Sequence, residues 1–271
     1  MGYRICLARP AGHKLESPDV GTYLVQWMND LKNRPGAEDL DLFTVSNARI
    51  RMMRNMCVAH ARQKQAHFLL FIDPDMGVDK YVQRGANGQV LDPNYALPFF
   101  PAAWDLALQH QKTNHPPAIY AAPYCATPPH EPVHVFVRNE TGKLVRLERD
   151  RASTLRGWHQ VGACGTGLML IDMRVFDVIH RPNAPYFEDQ YTDTTETKLR
   201  YSQDVDFCLR CGAAGIPVYV NFSCWCTHWQ LAEVHRPGYK PAQEPDPVLE
   251  VGPDPQIPHL RIQGAGCRSW Q

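Results

Sequence analysis

A chain of 271 residues that sets 28 Lys and Arg against 28 Asp and Glu has no bulk charge with which to hold DNA or anionic lipid. Hydrophobic residues make up 44%, enough for a packed core and against wholesale disorder. The longest strongly apolar run, residues 68–72, is far short of a membrane span, and Arg4, Arg9, His13 and Lys14 interrupt the stretch where a signal peptide would be apolar, so a soluble cytoplasmic protein is expected.

In chain order, residues 4–8 are predicted as a strand and 20–31 as a helix with Leu24, Trp27, Met28 and Leu31 on one face. Residues 40–45 read as a second strand, and Ser46 or Asn47 can cap a helix over 48–65. That helix carries Arg49, Arg51, Arg54, Arg62 and Lys64 with no acidic residue in its own stretch. His67-Phe-Leu-Leu-Phe-Ile-Asp73 is an apolar run too short for a typical helix, as expected of a strand buried on both faces. Further along, 98–111 contains a helix and 118–124 a strand. Residues 133–138 and 143–148 flank Asn139-Glu-Thr-Gly142 as a hairpin. Residues 162–167 read as loop and 168–171 as a strand. Asp172 then caps a helix to about His180, Ser202 caps another that stops near 212–215, and 216–221 is a strand. Alternating strands and helices predict an α/β fold with right-handed crossovers. Residues 1–236 are expected to form the domain, and 237–271, with seven prolines between Pro237 and Pro258, an irregular tail on or near it.

Nine cysteines without a signal peptide fit reduced thiols better than a disulfide framework. Cys208-x-x-Cys211 is followed by Cys224-x-Cys226-x-His228, and four of these five can close a structural zinc site. The first pair lies in an apparent helix and the second on an apparent strand, so buried thiols are the simpler expectation.

Three short stretches carry candidate chemistry. Asp73-Pro74-Asp75 leaves the C-terminal end of a buried strand, where open α/β sheets place ligands, and paired carboxylates suit Mg²⁺ or Mn²⁺. The same tripeptide is also ordinary turn chemistry. Ser202-Gln203-Asp204-Val-Asp206 opens a helix, where the dipole favours ionised carboxylates whether or not they have a catalytic duty. Cys226-Thr227-His228-Trp229 follows a strand, and a lone His is commonly structural.

Taken in order, the basic helix with Arg54-Asn55, the strand ending in Asp73-x-Asp75, the Gly-rich loop before Leu168-Met-Leu-Ile, Ser202-Gln-Asp-Val-Asp-Phe-Cys and the late His228 resemble a nucleotide-sugar glycosyltransferase of the GT-A fold, the small inverting type with a DxD motif. The resemblance covers roughly residues 1–230. It implies a mixed, mostly parallel sheet flanked by helices, and a hexosyltransferase-like activity on a nucleoside-diphosphate sugar. Asp75 would then ligate Mn²⁺ (or Mg²⁺) directly, Asp73 would reach the metal or the donor ribose, and His228 would complete the metal site. Arg54 and Asn55 would serve the donor diphosphate or nucleotide, Gly162, Gly165 and Gly167 would admit the sugar to the backbone or simply make a turn, and Asp204 would be the general base. Gln203 stands where many relatives have Glu, which removes a second carboxylate but leaves the base in place.

The acceptor is open: a glycan, a protein or a modified nucleic acid, with no membrane partner. Lys143, Arg146, Arg149, Arg151 and Arg156 face only Glu148 and Asp150 in their own stretch, a pattern that suits a solvated face or a polyanion such as DNA bearing hydroxylated bases. Trp158, Tyr186, Phe187 and Trp229 can stack on a sugar or a base, or pack in the core. Two rival readings are a sugar-nucleotide-forming nucleotidyltransferase, whose repeated glycines are missing from Arg9-Pro-Ala-Gly-His-Lys14, and a zinc-stabilised nucleic-acid-binding module.

Overall fold

A computed structural model describes residues 2–11, 20–94, 96–126, 132–193, 195 and 198–229; the expected domain boundary at 236 and the tail of 237–271 lie outside these described residues. The first third of the chain lays down β1 (Tyr3–Pro10), α1 (Val20–Lys32), β2 (Ala37–Val45), α2 (Ile50–Gln63), β3 (Phe68–Ile72) and the short β4 (Met76–Gly77). Then follow α3 (Phe99–Lys112), β5 (Ile119–Ala121), β6 (Val135–Arg138), β7 (Leu144–Arg146), α4 (Arg149–Thr154), β8 (Trp158–Val161), β9 (Ala163–Cys164) and β10 (Leu168–Asp172). The last described stretch holds α5 (Arg174–Val178), β11 (Gln190–Tyr191), β12 (Leu199–Tyr201), α6 (Gln203–Ala213), β13 (Val218–Asn221) and β14 (Thr227–His228).

A seven-stranded sheet runs through the molecule in the order β2-β1-β3-β10-β5-β13-β8. β2, β1 and β3 are parallel, as are β5 and β13, whereas β10 is antiparallel to both β3 and β5, and β8 to β13. Five of the seven strands therefore point the same way. β3 sits inside this sheet with all of its residues buried. Phe68, Leu70 and Ile72 feed one core and Leu69 and Phe71 the other, the period of two that a strand imposes. Each such side chain contributes about 1.5–3 kcal/mol on burial. Leu24 and Trp27 of α1 and Phe99, Phe100 and Trp104 of α3 cover one face, and Met53 and Cys57 of α2 and Phe207 of α6 cover the other.

Several expectations are displaced by local chemistry. Asn47 takes a positive φ of 63°, so the chain is still turning there and α2 starts only after Arg49, with no side-chain cap. The loop expected at 162–167 is partly strand, since β9 pairs with β6, and 158–161 supplies an edge strand that Trp-His-Gln-Val does not advertise by alternation. Ser202 is the N-cap of α6 but makes no side-chain bond to its backbone; its hydroxyl goes to Asp204 instead.

The zinc cluster does not assemble. Cys208 and Cys211 pack into the core on one face of the sheet and Cys224 and Cys226 into the core on the other. All four are buried free thiols, pressed between apolar side chains from opposite sides of a sheet that keeps them apart.

Candidate active site

Topology gathers the candidate residues at one edge. The aspartates follow the C-terminal end of β3, and Tyr124 and Cys125 follow that of the parallel β5. Because β10 runs the other way, Leu168 at its start pairs with Ile72 at the end of β3, which brings Gly165-Thr166-Gly167 to the same edge. The Asp73 N–H donates to the Gly167 carbonyl at 2.8 Å and closes this corner. His228 arrives by a two-residue ladder, in which Thr227 pairs with Gly77 and His228 with Met76.

The ladder sets the His228 Nε2 3.2 Å from an Asp75 carboxylate oxygen, with Asp75 only 2% exposed. On its other side, Nδ1 lies 3.1 Å from the Cys125 carbonyl. A carbonyl can only accept, so Nδ1 carries a hydrogen, and Nε2 is the nitrogen turned towards the carboxylate. A proton or a cation must lie between them. A histidine whose second nitrogen is anchored on a backbone carbonyl is the arrangement metal-ligating imidazoles adopt.

Arg54, 3% exposed on α2, donates through Nη2 to Asp73 at 2.8 Å. Its Nε and Nη1 are buried and have no hydrogen-bond partner among the described residues. Burial penalises the guanidinium, yet the fields of Asp73 and then Asp204 more than offset this and hold its pKa above the ordinary value. Burial also pushes the Tyr124 phenol well above its ordinary range, with Asp204 and then Asp73 adding to the rise. Asp204 and Asp73, more than a hundred residues apart in sequence, thus act on the same two side chains. Tyr124 also meets the His228 ring edge-on at 5.3 Å and stacks on His134 at 4.9 Å. Among the described residues, three carboxylates (Asp73, Asp75, Asp204) stand against one guanidinium, a balance that favours a cation at this edge.

The remaining candidates divide. Gly165 and Gly167 are required by Tyr124: a Cβ on Gly165 would stand 2.0 Å from its hydroxyl, and one on Gly167 3.0 Å from its ring and 2.8 Å from the Met76 sulfur. Asn55 is not brought to the carboxylates. Its amide is engaged by the Arg51 and Phe187 carbonyls and by the Tyr186 and Phe187 N–H groups, so it braces the 186–187 segment. Phe187 is fully buried against Phe207, and Trp158 packs on Tyr120, while Trp229 remains half exposed. Arg62 pairs with Asp177 at 2.7 Å. Asp73 does not close a tight triad with Asp75 and His228; among the described residues the one trio with ligand atoms within 4.8 Å of one another is Cys6, Asp41 and His60. Sequence reasoning passed over Tyr124, His134 and Thr166. Thr166 is wholly buried with its hydroxyl unpartnered among the described residues, and only its place between two glycines could have marked it.

No protein-family model matches this chain, and no curated protein sequence does. Among solved structures the chain is similar to A197 from STIV, with a TM-score of 0.50, 14% identity, and 84% of this chain against 86% of that one covered. At that identity the likeness is one of fold. Looser likenesses reach GalNAc-T7 crystallised with UDP, GalNAc and Mn²⁺ (TM-score 0.39, 10% identity, 84% of this chain and 43% of that one). UDP-glucose pyrophosphorylase with UDP-glucose follows at 0.43, with 10% identity and coverages of 83% and 91%. Scores of that size carry no weight for what this chain does. The mixed, mostly parallel α/β sheet flanked by helices expected from the sequence is the one observed, and among the described residues no helix is long and apolar enough to cross a membrane.

Proposed function

We propose that the chain is a metal-dependent, hexosyltransferase-like enzyme of the cytoplasm that moves a sugar from a nucleoside-diphosphate donor to an acceptor hydroxyl, with inversion at the anomeric carbon. What carries this reading is the gathering of Arg54, Asp73, Asp75, His228 and Asp204 around Tyr124 at the carboxyl edge of one sheet. Ligands of open α/β sheets bind at such edges.

Asp75 and His228 would hold the metal. A carboxylate with an imidazole suits Mn²⁺ better than Mg²⁺, and a bound Mn²⁺ supplies charge that stabilises the departing diphosphate. Arg54 binds the donor phosphates through Nε and Nη1, the two nitrogens that Asp73 does not occupy. Asp73 orients that guanidinium and lies within reach of the metal or the ribose. Asp204 takes the proton from the acceptor hydroxyl as it attacks the anomeric carbon; its contact with the Ser202 hydroxyl fixes one carboxylate oxygen. Gly165 and Gly167 hold Tyr124 close and so shape the wall that the sugar meets.

The decisive experiment is to screen hydrolysis of different nucleotide sugars with Mn²⁺ and no acceptor, which identifies the donor with the class. Calorimetry complements it. Asp75→Ala should abolish the Mn²⁺-dependent part of donor binding, and donor affinity indifferent to both Mn²⁺ and Asp75 would remove the metal from this reading.

A further inference from the structure

Beside the candidate site lies a cleft of about 310 Å³. Tyr81 and Trp225 give it aromatic faces, Arg149 and Arg156 positive charge, and Ser153 a hydroxyl. Arg54, Asp73 and Asp204 do not line it, so it is separate from the region assigned above to the donor phosphates. Yet it adjoins the Asp75–His228 pair. Cys125 forms part of its wall and is the residue whose carbonyl receives the His228 Nδ1–H at 3.1 Å. Trp225 lies two residues before β14 and Tyr81 four residues after β4, so the segments flanking the ladder that seats His228 each bring an aromatic residue to the cleft.

The chemistry of these walls is specific. Guanidinium groups bind phosphate through paired N–H donors, and aromatic faces take up the flat or apolar side of a ring. The Arg156 Nη1 donates to the Ser153 and Leu155 carbonyls, which holds that side chain at the end of α4. A volume near 300 Å³ is at the small end for ligand sites and accommodates one ring and one phosphate, not a tract of polymer.

We infer that this cleft is the acceptor subsite, and that the acceptor is a phosphorylated ring compound whose phosphate pairs with Arg149 and Arg156 while its ring lies against Tyr81 or Trp225. The word acceptor rests on the transferase reading above; the affinity for a phosphorylated ring does not. Two sources supply such a phosphate, a sugar phosphate or a nucleotide, and the chemistry of the cleft is common to both.

The test is calorimetry on the full chain without metal or donor. The probes are glucose 6-phosphate and thymidine 5′-monophosphate, with glucose and thymidine as neutral counterparts. At least one phosphorylated probe should bind, its neutral counterpart should not, and Arg149→Gln should weaken binding about tenfold or more. Arg149 is exposed, so this change leaves the core untouched, and Trp225→Leu should weaken the same probe independently. Binding of the hexose phosphate alone assigns the source as a sugar phosphate, and of the thymidine compound alone as a nucleotide; either supports the subsite. Equal binding of phosphorylated and neutral probes overturns it. So does affinity that falls with Arg54→Gln but survives Arg149→Gln, since the probe then occupies the donor region. Donor hydrolysis with Mn²⁺ separates the two claims. Probe binding without hydrolysis of any nucleotide sugar removes the acceptor role with the transferase reading, whereas hydrolysis without probe binding overturns the cleft alone.

Discussion

At Gly165 a single methyl group would stand 2.0 Å from the Tyr124 hydroxyl and 2.7 Å from the ring carbon that bears it. The φ of Gly165 needs no glycine, so the cost of adding that methyl is overpacking alone. Gly165→Ala is expected to lose about 1–3 kcal/mol, read by urea denaturation, and Tyr124→Phe in the same chain should recover part of it. A Gly165→Ala chain as stable as the wild type would show that Tyr124 has room to move. At Asp204 the expectation concerns chemistry and not stability. Asp204→Asn keeps the shape of the side chain but cannot take a proton, so transfer should fall by about a hundredfold or more while calorimetric donor affinity stays within a factor of three. Parallel loss of donor affinity would make Asp204 a binding residue. Neither role was equally legible in the sequence. Asp204 stands out at a helix start after Ser202, whereas Tyr124 follows Pro123 at the end of a strand with no pattern to mark it.

Among the elements, the two-residue ladder of β4 and β14 has a function out of proportion to its size. It alone pairs His228 with Met76, next to Asp75. A Cβ at Gly77 would come within 2.0 Å of the Thr227 hydroxyl oxygen and 3.2 Å of the Trp229 indole nitrogen, so a branched side chain there should force the strands apart. Gly77→Val is expected to weaken Mn²⁺ binding at least tenfold and to lower the urea midpoint as well, because Met76 and Gly77 are both buried. Unchanged Mn²⁺ affinity would mean that His228 does not need it. Such pairings escape sequence analysis because two residues show no periodicity. β3, by contrast, declares itself through five consecutive buried apolar residues. Likewise α2 reads as a basic helix lacking acidic partners, since those partners, Asp73 for Arg54 and Asp177 for Arg62, lie on other elements.

Across the whole molecule the sheet is a partition, and two measurements follow from it. With Cys208 and Cys211 on one side and Cys224 and Cys226 on the other, metal analysis of purified protein should find no stoichiometric zinc held by these cysteines. Tightly bound zinc that is lost in Cys208→Ser would contradict the packing. On the face covered by α3, burial and then the neighbouring His115 push the His110 imidazole from 6.5 down to about 4. Between those values the unfolded chain takes up a proton that the folded chain refuses, so stability should decline as pH falls from about 6.5 towards 4 and level off below. Urea midpoints at pH 7 and pH 5 should differ less in His110→Gln than in the wild type; an equal drop would place the effect on other groups.

Hydrophobic periodicity and strand–helix alternation, both local properties, determined the α/β class, the buried β3 and the acidic start of α6. The resemblance to GT-A glycosyltransferases, carried by the order of short motifs, suggested which residues to set beside Asp73 and Asp75. Only tertiary structure decided that β10 turns against its neighbours, that the cysteine pairs part company across a sheet, that Asn55 braces a loop, and that Tyr124 stands among the carboxylates. Those outcomes depend on side chains far apart in sequence competing for the same volume, and volume is a quantity that no stretch of residues contains by itself.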